Sequence, residues 1–247
     1  MSGHSKWAGI KHKKAIIDSK RGKIFTRIGR ELTIAAKHGG NPENNARLRK
    51  AIEDAKTANM PTDNIKKAIQ RGTGELPGVT YEEFVYEGYG PGGVAIMIEI
   101  TSDNKNRTHS EIRKTFSSHG GNLGDAGCVG WMFQQKGYIV VKKSDVKEDE
   151  LMNIAIDNGA DDIKSDDENV YEIFTIFSDF EKVKKALEDK KIAIETAENI
   201  KIPSTYIEVD SDNERKMVEL VDELEENDDV KNVYSNFETS GADKIKD

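Results

Sequence analysis

The chain has 247 residues, 36% of them hydrophobic and 33% charged, with a formal net charge of −8 and a single cysteine, Cys128. A chain of this length can form two or three small domains, and a lone cysteine excludes an internal disulfide. The sequence contains neither an apolar run long enough to span a bilayer nor the apolar segment of a secretory signal, so we expect a cytoplasmic protein with no membrane partner.

Positive and negative charges are distributed unevenly along the chain. Residues 1–72 contain 17 Lys and Arg against 6 Asp and Glu, whereas residues 73–247 contain 20 against 39. A basic segment joined to an acidic body is typical of proteins that bind a polyanion. The charge distribution therefore predicts a nucleic-acid partner for the N-terminal part of the chain.

The segment GKIFTRIGRELTIAAKHGG predicts an amphipathic helix that ends at Gly39 and Gly40. Its apolar residues recur at steps of three and four positions, at Phe25, Ile28, Leu32 and Ala35. Its cations fall nearly opposite this stripe, at Lys23, Arg27, Arg30 and Lys37. One side of this helix is expected to pack while the other carries positive charge.

Two further helices complete a small predicted bundle. The second helix is predicted to begin in NPEN, with Asn41 as its cap and Pro42 in its first turn. The third lies within NMPTDNIKKAIQRGTG and ends at Gly72, with Ile65, Ala68 and Ile69 facing inward. The segment before Lys20 has too few apolar residues at helical spacing and is predicted to be a mobile arm.

From Tyr81 onward the pattern changes to strands that alternate with helices, which predicts an α+β fold class. One strand–helix–strand pattern occurs twice in succession and predicts a ferredoxin-like unit, with Ser178 and Glu181 as a capping box. CVGWMF and YIEVD are predicted strands on either side of this unit. Ser211 and Glu214 form a second predicted capping box.

The predicted architecture is an N-terminal helical bundle followed by two ferredoxin-like α+β domains, one inserted into the other. The basic helical domain covers residues 1–78, and the inserted domain covers residues 135–203. The second α+β domain is discontinuous and joins residues 79–134 to residues 204–240. Residues 241–247 are predicted to be a disordered tail.

We find no arrangement of residues that predicts catalysis. The five histidines are scattered and lack the spacing of a zinc hydrolase, so no metal is predicted. GYGPGGV lacks the lysine of a phosphate-binding loop and opens onto a strand, which favours a hairpin loop. Cys128 lies at the start of a predicted apolar strand, where a buried structural thiol is the default. The sequence therefore predicts a protein that is not an enzyme and has no cofactor.

The basic N-terminal region is the candidate site. Lysine and arginine side chains neutralise phosphates and release counterions, and a neighbouring indole can stack on an unpaired base. The alternative interpretation is a solvated helix face with Trp7 in the core of the bundle. The predicted nucleic-acid-binding residues are Lys6, Trp7, Lys11, His12, Lys13, Lys14, Lys20, Arg21, Lys23, Arg27, Arg30, Lys37, Arg47, Arg49 and Lys50.

Several motifs in the same order closely resemble the YebC/PmpR family. They include GHSKWAGIKHKKA, KRGKIFTRIGREL, NARLRKAIEDAKTANMPTDNIKKAIQRG, YEGYGPGGVA, DNKNRT, GGNLG and DVKNVYSNF. The resemblance implies one helical and two α+β domains, and a probable transcriptional regulator that binds DNA. It also implies that the loops at 88–93, 104–108 and 120–124 contact RNA or a partner protein. Ala46 departs from the proline that is common in the family.

Two further functions are compatible with the same residues. The family includes translation factors that act at the ribosome, such as the mitochondrial translational activator of cytochrome c oxidase, so a ribosome-associated factor that binds rRNA or tRNA and relieves stalled translation is the main alternative. A protein-binding module with an acidic partner is the other. The sequence shows no helix-turn-helix rich in base-reading side chains, and a basic arm with one aromatic residue suits irregular RNA at least as well as a DNA groove.

Overall fold

The computed structural model describes residues 21–238, which fold as two compact units. The first unit contains residues 21–129 and 210–235, and the second contains residues 130–209 and 236–238. The α-helices are α1 (Arg21–Ala36), α2 (Ala46–Thr57), α3 (Thr62–Thr73), α4 (Lys105–Ser118), α5 (Glu148–Asp157), α6 (Phe180–Asp189) and α7 (Ser211–Glu226). The strands are β1 (Glu82–Tyr89), β2 (Ala95–Ser102), β3 (Asn122–Leu123), β4 (Phe133–Lys142), β5 (Ala160–Lys164), β6 (Val170–Ile176), β7 (Ile194–Pro203), β8 (Ile207–Glu208), β9 (Val230–Ser235) and β10 (Phe237–Glu238).

Helices α1, α2 and α3 share one apolar core within the first unit. The stripe predicted for α1 packs as expected, since Leu32 and Ala35 are fully buried while Phe25 and Ile28 border the cluster. The other buried members of this core are Ala36, Leu48, Ala51, Ala55, Met60, Ile65 and Ala68. The predicted helical periodicity of this region is therefore confirmed.

Asn45, rather than Asn41, caps α2, so the predicted start of this helix is wrong. The Asn45 side chain accepts a hydrogen bond from the Leu48 N–H at 3.0 Å. Its amide nitrogen also donates to the carbonyls of Ala35 at 2.7 Å and Gly39 at 2.8 Å. Asn45 is the cap because its side chain hydrogen-bonds to backbone groups of both the first turn of α2 and the end of α1.

The sheet of the first unit has the strand order β3-β1-β2-β9, with every neighbouring pair antiparallel. The chain segments before and after the second unit were predicted to form one domain. This prediction is confirmed, because β9 pairs with β2 in one sheet. The predicted strand CVGWMF is wrong, since residues 130–132 form a single 3₁₀ turn and the strand begins at Phe133. The short β3 takes the edge position beside β1 instead.

The sheet of the second unit has the order β5-β6-β4-β7 and is also fully antiparallel. Chain order and strand order together are those of a ferredoxin-like fold, which confirms this prediction and the α+β fold class. Helices α5 and α6 cover one face around Ile139, Ile173 and Val183. The predicted strand YIEVD forms only β8, which pairs in parallel with β10 and does not join the first sheet.

Neither predicted capping box forms. Asp210, one residue before the predicted cap, accepts hydrogen bonds from the N–H groups of Asp212 and Asn213 at 3.1 and 2.9 Å. Helix α6 begins at Phe180 after a 3₁₀ turn and has no side-chain cap. An aspartate that precedes a serine thus supplies the better acceptor because it also carries a charge at the positive end of the helix.

None of the helices that the structure describes is both long enough and apolar enough to traverse a bilayer. The division into three domains with the predicted boundaries stays a prediction.

Candidate nucleic-acid interface

The predicted basic arm lies outside residues 21–238. This applies to Lys6, Trp7, Lys11, His12, Lys13, Lys14 and Lys20, and the side chain of Arg21 is likewise not described. Their contact with nucleic acid stays a prediction. The remaining predicted site residues lie on α1, at its end, and on α2.

The cations of α1 contact the C-terminal end of α7. Lys23 Nζ donates to the carbonyl of Glu226 at 3.0 Å, and Arg27 donates to the carbonyl of Glu225. Arg30 donates to the carbonyl of Asp228 at 2.5 Å. The last carbonyls of a helix lack intrahelical partners and carry partial negative charge, so Lys23 and Arg27 satisfy acceptors at the end of α7, while Arg30 contacts the segment just after it.

Asp229 is the centre of a buried hydrogen-bond network in the first unit. Its side chain is 3% exposed and accepts from Arg30 at 2.7 Å and from Arg107 at 2.6 Å. Thr108 and Ser102 donate to the same carboxylate at 2.6 and 2.9 Å. Burial by itself raises the pKa of Asp229, but the hydrogen bonds of Thr108, Arg107 and Ser102 and the charge of Arg30 outweigh it and hold the pKa below its usual value.

Arg47 lies between two carboxylates. Its guanidinium contacts Glu31 and Glu83, each at 2.6 Å, and these hydrogen bonds raise its pKa. Lys231 of β9 reaches the same two carboxylates at 2.9 and 3.5 Å. Burial by itself raises the pKa of Glu31, but the hydrogen bond from Arg47 and the charge of Lys231 outweigh burial and lower the pKa. The hydrogen bond from Arg47 also lowers the pKa of Glu83, so both acids remain ionised. Arg47 therefore ties α2 to α1 and to β1.

Two of the other predicted cations, Lys37 and Arg49, donate to neutral acceptors. Lys37 Nζ donates to the carbonyl of Tyr81 at 2.7 Å, and Arg49 donates weakly to the carbonyls of Pro42 and Glu43. Lys37, Arg49 and Lys50 are all exposed. A carbonyl leaves the charge of its donor uncompensated, so Lys37 and Arg49 still contribute positive potential to the surface.

Helix α3 carries three exposed cations that our sequence-based site omitted: Lys66, Lys67 and Arg71. Within the described ranges, no carboxylate lies within ion-pair distance of any of them. The helical periodicity of α3 would have identified these cations. Because Ile65 and Ala68 face inward, the other three positions face solvent.

A groove runs between α1 and α3, and residues 77–81 form its third wall. Its volume is about 590 Å³, and its cations are Arg30, Lys67 and Arg71. None of the described residues that line it is acidic. We call this feature the α1–α3 groove.

Two glycines set the shape of the α1–α3 groove. A Cβ on Gly72 would collide with the carbonyl oxygen of Thr33 and lie 2.7 Å from Ala36 Cβ, so glycine allows α3 to approach α1 closely. A Cβ on Gly29 would meet no atom within 4 Å, although Gly29 lines the groove. The helices thus touch at one glycine and leave open space at the other.

Two of the three loops expected to contact RNA or a partner protein have clear structural roles. In 104–108, Asn104 caps α4 and Arg107 and Thr108 bind Asp229. In 88–93, Gly90 and Val94 close the hairpin through a 2.8 Å backbone bond. These hydrogen bonds give the two motifs a structural role in the fold. Contact of the loops with RNA or protein stays a prediction.

Buried Glu87 holds the loop that follows 120–124. Its carboxylate accepts from the backbone N–H groups of Gly127 at 2.9 Å and Val129 at 2.8 Å. Burial, and then the charges of Glu87 and Asp125, raise the pKa of Cys128, which disfavours the reactive thiolate. Among residues 21–238, no cluster of three His, Cys, Asp or Glu side chains could hold a metal ion.

The chain matches known proteins over nearly its whole length. The profile described as TACO1/YebC protein N-terminal domain matches residues 5–75, and that described as TACO1/YebC second and third domain matches residues 81–237. A relative from Endomicrobium trichonymphae, named "Probable transcriptional regulatory protein", is 61% identical over 100% of this chain and 99% of its own length.

Two further comparisons agree. A protein of the same name from Dictyoglomus turgidum is 55% identical and covers 96% of both chains. The crystal structure of a conserved hypothetical protein from Aquifex aeolicus superposes with a TM-score of 0.86 at 47% identity, over 98% of this chain and 100% of the other. The resemblance found in the sequence motifs is thereby confirmed, and the chain belongs to the TACO1/YebC family.

Proposed function

We propose that this protein is a non-enzymatic regulator of gene expression that binds nucleic acid through its basic N-terminal third. The name of its relatives, probable transcriptional regulatory protein, supports the regulatory role. DNA is the target that this name favours. The proposal includes the basic arm before residue 21 as the first contact with the phosphate backbone.

The observation that carries the proposal is the presence of uncompensated cations in the described helices of an acidic protein. Lys67 and Arg71 are exposed beside a groove without carboxylates, whereas the chain as a whole has a charge of −8. Such cations attract phosphates, and each phosphate contact releases counterions. The acidic remainder repels the polyanion and confines binding to this end of the chain.

The ribosome-associated translation factor is the second candidate, and the α1–α3 groove favours it. Unpaired bases of irregular RNA insert into concave sites, while the faces of a regular duplex do not offer single bases. A site of this shape suits rRNA or tRNA loops at least as well as a DNA operator.

The test is binding of the full chain to labelled duplex DNA and to labelled structured RNA at matched salt concentrations. Replacement of Lys11, Lys13 and Lys14 by Glu should weaken binding by at least tenfold, since it reverses three charges in the arm. The matched control replaces Lys182, Lys185 and Lys190, exposed residues on and after α6, by Glu. This control changes the net charge equally and should have a much smaller effect.

Equal affinity of both triple variants and the wild type would contradict the proposal. Crosslinking in cells, followed by sequencing of the attached nucleic acid, then separates the two candidates. Recovery of a recurrent DNA sequence supports the transcriptional regulator, and recovery of rRNA or tRNA supports the translation factor.

A further inference from the structure

We propose that the α1–α3 groove binds one unstacked nucleotide of a single-stranded nucleic acid. This inference rests on the proposed function and specifies where and in what form the ligand is held. Lys67 and Arg71 bind the phosphate, and the base enters between α1 and residues 77–81.

The charge of the groove selects a phosphate. Lys67 and Arg71 are four residues apart on α3 and both line the groove, so their side chains occupy neighbouring positions on one helix face. Neither has a carboxylate partner within the part of the chain that the structure describes. A doubly cationic wall without acidic residues favours an anionic ligand.

The remaining walls suit a base. Phe25 and Tyr81 are partly exposed aromatic residues that line the groove, and Asn64 adds an amide able to pair with a base edge. The volume of about 590 Å³ lies within the range of about 300–1,000 Å³ that is typical of small-molecule sites. A mononucleotide unit is a ligand of this class, whereas a base pair in a continuous stack is not.

The aromatic wall is held in place before any ligand binds. The guanidinium of Arg30 lies 5.4 Å from the centroid of the Tyr81 ring, and Lys37 Nζ donates to the Tyr81 carbonyl at 2.7 Å. Arg30 is itself fixed by Asp229 at 2.7 Å. A preorganised wall reduces the ordering cost of binding. Two residues predicted from sequence to touch nucleic acid thus position Tyr81.

Gly29→Leu tests this inference without a change in charge. Gly29 lines the groove and has open space above its Cα, so a leucine side chain would fill the volume that the base needs. The full-length variant should bind a labelled single-stranded oligonucleotide roughly tenfold more weakly, the loss expected for one stacked base. Its affinity for the duplex of the same sequence should change by less than about twofold.

A second, matched pair of variants tests the phosphate contacts. Lys67→Gln combined with Arg71→Gln should weaken single-strand binding by more than about tenfold, while Lys56→Gln combined with Lys66→Gln, which removes two exposed charges outside the groove, should cost about twofold or less. A nucleoside monophosphate should compete with the oligonucleotide for the wild type and not for Gly29→Leu.

The outcomes separate this inference from the proposed function. Unchanged single-strand binding by a folded Gly29→Leu protein would overturn the nucleotide site, as would equal losses in the two double variants. Either result would leave nucleic-acid binding itself intact. A wild type that binds neither single strands nor duplex would overturn both proposals.

Discussion

On one side of α1, Arg27 and Arg30 donate to the carbonyls at the end of α7 and to Asp229. On the other side, Lys67 and Arg71 of α3 face a groove without carboxylates in the described chain. The first side also borders a cavity of about 160 Å³ whose lining includes the acids Glu31, Asp54, Asp228 and Asp229. Both sides carry cations, and they differ in the groups that the fold places opposite them.

The difference shows that charge density alone does not locate a binding surface. Burial lowers the pKa of Arg27, and the nearby charges of Glu225 and Asp228 offset only part of this effect. A cation that is buried and hydrogen-bonded in this way has little freedom to bind a phosphate. The exposed cations of α3 keep that freedom because the sheet does not reach them.

The largest expected effect comes from removing the acid on the paired side. Asp229→Ala leaves Arg30 and Arg107 without their shared carboxylate, and breaking a buried ion pair in this way costs about 3–5 kcal/mol. The free energy of unfolding from urea titration, followed by hydrogen exchange of β2 and β9 amides, measures the loss. Asp228→Ala is the matched control, since its exposed carboxylate should contribute less than about 0.5 kcal/mol. A similar loss in both variants would show that Asp229 has no special role.

A smaller effect on stability is expected at two glycines, one that packs closely between α3 and α1 and one that borders open space. Gly72→Ala should lower the free energy of unfolding by about 1–3 kcal/mol because its Cβ collides with Thr33 and Ala36. Gly29→Ala should raise it by about 0.5–1 kcal/mol, since the new Cβ meets no atom and alanine favours the helix. Thermal unfolding of the two variants checks the opposite signs. Changes of the same sign would mean that α3 does not pack on α1 as described.

The smallest effect is the pH dependence that Asp229 adds. Because its pKa is lowered in the folded state, its stabilising contribution is present above the unfolded value of about 3.9 and is lost as the pH falls through the folded value. The difference in unfolding free energy between wild type and Asp229→Asn should be constant above about pH 5 and should shrink below about pH 4. Urea titrations at a series of pH values measure it. A difference that grows on acidification would contradict the lowered pKa.

Helical periodicity and strand alternation were enough to predict the bundle of α1 to α3 and the ferredoxin-like second unit. Both depend on local repeats, which a sequence displays directly. The cap of α2 was wrong because Asn45 also serves the end of α1, a contact between two elements. The strand YIEVD was misplaced for a similar reason, since Phe237 pairs with Ile207 and removes it from the first sheet.

The candidate site was predicted only in part. The basic character of α1 was visible, but the choice between solvent and Asp229 depends on a residue about two hundred positions away along the chain. The cations of α3 had the right spacing and were overlooked because the first thirty residues hold more charge. Glu87 and Asp229 are both buried acceptors, and no local sequence pattern predicted that role for either.

The position of β9 beside β2 bears on how the protein matures during synthesis. The first unit begins with α1 but lacks α7, β9 and the Asp229 carboxylate until residues 210–235 have emerged from the ribosome. Residues 130–209 emerge earlier and carry a complete four-stranded sheet. Helix α1 is therefore translated well before its partners, and Arg27 and Arg30 lack the acceptors at residues 225–229 until that segment has been synthesised.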